Sequence, residues 1–272
     1  MAQSEYVIRG GSPGRERLRL LGRVMRPTTV SLLERAGLEP GMTCLDVGCG
    51  GGDVTREIAR LIEPGGRVVG IDMDGTALAL ARTEAVALGL GNVEFRQVAV
   101  GEAGADGEFD VVYARFLLTH LRDPGQAVTW MLARVRPGGL MILEDIDCRG
   151  HFCHPSSAAF TRYVDVYTRL VHATGADPDI GPRLPELLLD AGCLDVQVHV
   201  VQPAGITGDV KLIAAVTMEN IADSLLAHGL AERHEIDAMV EELYERGRDH
   251  RTLMSMPRIV QAWGCRAGAD GQ

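Results

Sequence analysis

The stretch Cys44-Leu45-Asp46-Val47-Gly48-Cys49-Gly50-Gly51-Gly52-Asp53 is an apolar run that ends in a carboxylate and passes straight into glycines. Glycine has no Cβ, so it can take positive φ and let a ligand lie against bare backbone at the mouth of the following helix. About twenty residues further on, Arg67-Val68-Val69-Gly70-Ile71-Asp72 is a second apolar run ending in an acid, where a carboxylate can accept hydrogen bonds from both hydroxyls of a ribose. Met73 beside it can lay a polarizable thioether on an adenine face. Asp72 could also cap a helix over residues 75 to 88, and the two uses are compatible. The charge of the ligand follows from Asp46. Next to an anionic pyrophosphate that carboxylate would repel, whereas next to an ammonium or sulfonium it attracts.

S-adenosylmethionine (SAM) carries an ammonium, a sulfonium and an adenosine, and no phosphate. The spacing Asp46, Gly48, Gly50, Gly52 resembles motif I of the class I SAM-dependent methyltransferases, with Asp72 on the second strand as its ribose acid. Two later segments resemble the same family in the right order. Phe109-Asp110-Val111-Val112-Tyr113-Ala114-Arg115 runs into a helical 116–121 and then Asp123-Pro124, like motif IV. Val135-Arg136-Pro137-Gly138-Gly139 feeds a strand ending in Glu144-Asp145, as the family has before its fifth strand. The resemblance extends over residues 15 to 147.

It implies that SAM is bound by Asp46, Gly48, Cys49, Gly50 and Gly52, by Asp72 and Met73, and by Arg115, leaving S-adenosylhomocysteine (SAH) as product. Arg115 would act either through its backbone oxygen on the methionine ammonium or through its side chain on a carboxylate of the methionine or the acceptor. The family commonly places an acid for the adenine amino group after the third strand, 93–100. Here that position is Ala99, which leaves the backbone of Ala99 and Val100, or the side chain of Glu102, to contact the ring.

Methyl transfer is an in-line displacement at carbon, so the protein aligns two reactants and, for a phenol or alcohol, removes a proton. Similar small-molecule O-methyltransferases carry a His-His pair after the fourth strand; this chain has Thr119-His120, which implies His120 as the base. Asp145 matches a pocket acid of those enzymes and would orient the imidazole. The alternative is that His120 caps its helix and Asp145 holds a loop. Cys148-Arg149-Gly150-His151-Phe152-Cys153-His154 leaves the fifth strand at the same edge, so His151 and His154 are expected to line the acceptor pocket. Its spacing suits no zinc site, and no metal is expected. Tyr6 and Arg9 are placed on an N-terminal arm that folds over the ligands.

Alternating strands and helices indicate an α/β fold: a Rossmann-like, doubly wound sheet of seven strands, mostly parallel with the last antiparallel, carrying helical lid insertions. The expected parts are an N-terminal helical flap (1–40), a SAM-binding core (41–147), a helical insertion after strand five (148–193), and a C-terminal part (194–272) that completes the sheet around a second lid insertion at about 204–255. Helices are expected over 14–36, 156–174, 182–191, 208–228 and 232–248, and strands over 194–201 and 258–263.

A formal charge of −10 and a single lysine, Lys211, disfavour nucleic acid and anionic membranes as partners. Arg15, Arg17, Arg19 and Arg23 read as a solvated helix face. No secretory pattern or membrane-length apolar run is present, so a cytoplasmic protein with reduced cysteines is expected. A homodimer through the N-terminal or inserted helices stays open, since no heptad marks it. The function expected is methyl transfer to a small, fairly apolar metabolite, at oxygen or nitrogen, in secondary metabolism. The rivals are a SAM-binding protein that promotes a cyclisation or rearrangement, or holds SAM without transfer, and a nicotinamide oxidoreductase, against which Asp46 argues.

Overall fold

The computed structural model describes residues 11–103 and 107–268. Helix α1 (Gly11–Ala36) leads into β1 (Thr43–Val47), α2 (Asp53–Leu61), β2 (Arg67–Asp72), α3 (Gly75–Ala87), β3 (Val93–Gln97), β4 (Phe109–Arg115), α4 (Pro124–Leu132) and β5 (Val135–Asp147). Then come β6 (Cys153–His154), α5 (Ala158–Ala173), α6 (Leu184–Asp190), β7 (Cys193–Val201), β8 (Ala204–Gly205), α7 (Ile213–Ala227), α8 (Arg233–Arg248), β9 (Leu253–Ser255) and β10 (Arg258–Arg266).

Seven strands form one sheet in the order β3-β2-β1-β4-β5-β10-β7. Strand β10 is antiparallel to β5 and β7, and the other pairs are parallel. This is the Rossmann-like sheet that the sequence implied. Helices cover both faces of a parallel sheet, so its strands must be apolar on both sides. On β4, Val112 and Ala114 pack with Leu45 and Val47 on one face, while Val111 and Tyr113 pack with Cys44 and Ile58 on the other. The strand order reverses between β1 and β4, and at such a switch point the carboxyl ends of the strands open a crevice.

Helices α1, α5, α7 and α8 share a further apolar core, with Leu21 and Met25 packed among Tyr163, Val166, Met218 and Leu243. Strands β6, β9 and β8 form a small second sheet. It escapes a reading of the sequence because strands of two or three residues carry no periodicity. The segment 116–121 is also shorter than expected: Phe116 takes a left-handed φ of +53°, and only Leu118–His120 form a 3-10 turn.

Behind the crevice, the buried carboxylate of Glu144 accepts hydrogen bonds from Tyr113 Oη (2.8 Å), Thr29 Oγ1 (2.8 Å) and Gln261 Nε2 (2.7 Å), joining β4, β5, β10 and α1. Removing a carboxylate that three buried donors share leaves those donors unsatisfied. Glu144→Ala is expected to cost about 1–3 kcal/mol, a fall of about 2–12 °C in the midpoint of thermal unfolding, checked by calorimetry.

Candidate active site

The turn after β1 passes through Gly48, Gly50 and Gly52 at φ +70°, +50° and +71°, conformations that L side chains rarely adopt. Gly52 is doubly constrained, since a Cβ there would sit 2.7 Å from the Phe95 ring. Gly51 is glycine for a different reason: the Arg15 guanidinium lies across it, and a Cβ would come within 2.0 Å of Nη1. Arg15 is buried and donates to Asp53 (2.7 Å) and, through two nitrogens, to Glu84, while Arg56 joins the same two acids. The solvated arginine face is therefore corrected. Arg19 and Arg23 are exposed, but Arg15 clasps α1 to α2 and α3, and Arg17 faces a cavity. Helical spacing alone could not separate them, because α1 is covered on more than one side.

That cavity, of about 950 Å³, lies where the carboxyl ends of β1, β2 and β4 meet α1, α5 and α7. Ligand pockets run to about 300–1,000 Å³, so this one has room for a cofactor and a second small molecule. Asp46, Gly48, Cys49, Gly50, Asp72, Met73, Ala99, Val100 and Arg115 all line it, and Gly52 supports the turn from behind. Thr55 Oγ1 donates to Asp46 at 2.6 Å. Burial raises the Asp46 carboxyl to about 6, while the Thr55 hydroxyl and the Arg115 charge hold it down. Asp72 accepts from the amides of Gly50 (2.8 Å) and Asp74 (2.9 Å), and burial raises its carboxyl as well. The cap of α3 is Asp74, which accepts from Thr76 and Ala77, so Asp72 is not committed to that use. Glu102, also on the wall, is exposed and accepts from the Ala99 amide at 3.3 Å, and Leu121 and Trp130 add apolar surface to the lining.

The other end of the cavity is lined by Leu21, Phe116, His120, Ile146, His151, Tyr163, Tyr167 and Thr217, among others. Burial, with a smaller push from the Arg17 charge, lowers His120 to about 3, so its ring is uncharged at neutral pH. Asp145 does not line the cavity. It lies beneath, accepting from the amides of Thr119 (3.2 Å), Ile146 (2.8 Å) and Leu118, which fixes the turn that carries His120. Burial raises Asp145 to about 7 in spite of those three amides.

His151 lines the cavity, its ring edge-on to Phe160 and Tyr163, and burial lowers it to about 4. His154 does not reach it: the side chain is exposed on β6, which pairs with β9 and is carried away from the crevice. Met256 is a wall of the cavity, whereas Met218 and Met254 are core. Tyr6 and Arg9 lie outside the described residues. Among the described residues, no group of three or more His, Cys, Asp or Glu side chains is arranged to hold a metal.

Arg17, Tyr163, Tyr167 and Thr217 carry no local signature, since helix packing alone brings them to one place. Phe116 was equally hidden. Its strained φ follows from the sharp exit of β4, where its amide donates to the Glu144 carbonyl at 2.9 Å.

Residues 38–180 match a family model described as a methyltransferase domain. The chain is 38% identical over 116 residues to the ubiquinone biosynthesis O-methyltransferase of Acinetobacter baumannii (strain ACICU), covering 42% of this chain and 48% of that protein. To the ubiquinone/menaquinone biosynthesis C-methyltransferase UbiE of Hahella chejuensis it is 33% identical over 139 residues, covering 50% and 53%. The chain thus spans about half the length of the curated relatives it matches. Among solved structures, the [4+2]-cyclase SpnF superposes with a TM-score of 0.54 at 22% identity, over 89% of this chain and 81% of that one, a likeness of fold. The methyltransferase domain occupies more than half of the sequence and contains the glycine turn, both acids and the switch point of the sheet, and the chain belongs to the class I SAM-dependent methyltransferases.

Proposed function

We propose that the protein transfers the methyl group of SAM to a small, largely apolar metabolite at oxygen or nitrogen, as a cytoplasmic enzyme of secondary metabolism. The observation that carries this reading is one cavity whose two ends differ in chemistry. The Asp46–Asp72 end is acidic and floored by bare glycine backbone, which fits a cationic amino acid and a ribose; the His120–Tyr163 end is mostly apolar and aromatic, with Arg17 and Thr217 as polar groups in its wall. When bound, SAM supplies an electrophilic methyl on a sulfonium. The residues of the chain do the rest.

Asp46 attracts the ammonium, the Asp72 carboxylate can exchange its Gly50 amide for ribose hydroxyls, and Met73, half-exposed beside them, can cover the adenine. The cap of α1, α5 and α7 keeps water from the acceptor end, where water would compete as nucleophile. His120, neutral and half-buried, accepts the proton of an acceptor hydroxyl. So low a basicity cannot strip a phenol in advance, so the proton leaves as the new bond forms. The six unpaired cysteines suit a reducing compartment.

The test is SAM binding by calorimetry together with SAH release against a panel of phenols, alcohols and amines. Micromolar binding with turnover of at least one acceptor is the expected result. Binding without transfer, accompanied by a cyclised or rearranged product from a polyunsaturated substrate, would favour the non-transferring rival, and failure to bind SAM overturns both.

A further inference from the structure

Of the arginines that line the cavity, two pair with no carboxylate among the described residues, and only one of these, Arg17, is partly withdrawn from solvent. Arg15 is paired with Asp53 and Glu84. Arg115 lies close enough to Asp46 to pull its carboxyl down, and donates to Thr29 at 3.0 Å. Arg122 is exposed at the rim and donates to the Thr174 carbonyl at 2.8 Å. Arg17 is half-buried, and its Nε donates to the hydroxyl of Thr217 at 3.2 Å. No carboxylate pairs with it among the described residues.

The acids of the cavity are all engaged elsewhere. Asp46 and Asp72 belong to the glycine turn, Asp53 to the Arg15 clasp, Asp74 and Asp123 cap α3 and α4, and Glu102 accepts from Ala99. Among the described residues, the His120–Tyr163 end of the cavity therefore has a cation and no free anion. A guanidinium partly withdrawn from water is costly to leave unpaired, and with Nε occupied its two terminal nitrogens form a fork that matches the two oxygens of a carboxylate. One uncompensated positive charge suits a singly charged group better than a phosphate.

We propose that the acceptor carries a carboxylate, bound by the Arg17 guanidinium, with its apolar body against Leu21, Ile146, Tyr163 and Met256. This rests on the methyltransferase reading above and narrows its substrate class. The Arg17 charge is felt at both His120 and Tyr163, so a carboxylate held there keeps the rest of the acceptor beside His120. It also offsets the charge that, after burial, holds the imidazole down, so binding the acceptor strengthens the base.

The test uses the full chain loaded with SAH. Benzoate, hydroxybenzoate, hydroxynaphthoate and decanoate are each titrated beside their primary amides, which keep shape and remove charge. In the wild type at least one carboxylate is expected to bind about 10–100-fold more tightly than its amide. Arg17→Gln should erase that preference while its SAH affinity, measured first, stays at the wild-type value. Arg17→Lys, which keeps the charge and loses the fork, should restore part of it. A wild type that binds no carboxylate of the panel better than its amide overturns the proposal, as does a preference that survives in Arg17→Gln. If the wild type fails to bind SAH, the methyltransferase reading itself has failed, and that outcome is seen before any acceptor is added.

Discussion

His120→Ala is expected to lower kcat with a phenol or alcohol acceptor by about 10²–10⁴-fold, the usual worth of a positioned general base, while SAH binds as in the wild type. The imidazole lines the cavity, and burial keeps it neutral, the form that accepts a proton. Its turn is anchored from below by Asp145 through backbone amides, so the side chain can be removed without loosening the turn. Single-turnover SAH formation in the two proteins reads the effect on chemistry apart from product release. With an amine acceptor, which can enter the site already deprotonated, the loss should shrink to a few-fold. A phenol acceptor whose rate survives the substitution would make His120 a packing residue. Asp145→Asn supplies the companion measurement: it acts through the turn, so a smaller fall in kcat, with a double variant no slower than His120→Ala alone, would show that the two residues work as one unit.

Asp46→Asn should weaken SAH binding about 10–100-fold at pH 7.5, the equivalent of a charge-assisted hydrogen bond worth about 1.5–3 kcal/mol. The substitution keeps an acceptor for the Thr55 hydroxyl, which donates at 2.6 Å, so the turn after β1 is preserved while the charge facing the amino group is lost. Binding should also depend on pH. Burial holds the Asp46 carboxyl at about 6, above its ordinary value of 3.8, so in the ligand-free protein it is ionised above pH 6 and protonated below. A cationic amino group binds the ionised form. Affinity is therefore full above about pH 6 and falls as the pH drops through 6, by up to about tenfold per unit. In the asparagine variant that limb should flatten, leaving the contribution of Asp72, whose carboxyl burial raises in the same direction. Calorimetric titrations with SAH at pH 5.0 and 7.5 decide the point, and equal pH dependence in both proteins would remove Asp46 from the role.

What could be read from the sequence alone was the part that local chemistry dictates. A strand buried on both faces must be an apolar run, a backbone that turns left-handed beside a ligand demands glycine, and an acid at the end of such a strand is placed by the sheet geometry itself. Asp46, Gly48, Gly50 and Asp72 could therefore be picked out as neighbours, and all four line one cavity, while β1 to β5 follow in the expected order. Asp145 was identifiable in position, but its contact stayed open between the imidazole and a loop, because whether a carboxylate at a strand end faces the pocket or the backbone amides beneath it depends on how the next turn folds over it; here it holds the turn. His154 was misjudged because β6 is held by β9, a hundred residues away, and nothing near it in the chain records that pairing. Arg15 and Arg17, two residues apart on one helix, show the limit most sharply. The first became a buried clasp over Gly51 and the second lines the cavity beside Thr217, paired with no carboxylate among the described residues, and only the packing of α1 against α2, α3 and α7 could assign them. Local sequence sets which conformations and charges are available. Which of them meet across the cavity is decided by contacts between segments up to two hundred residues apart, such as Arg17 on Thr217, and those exist only in the folded chain.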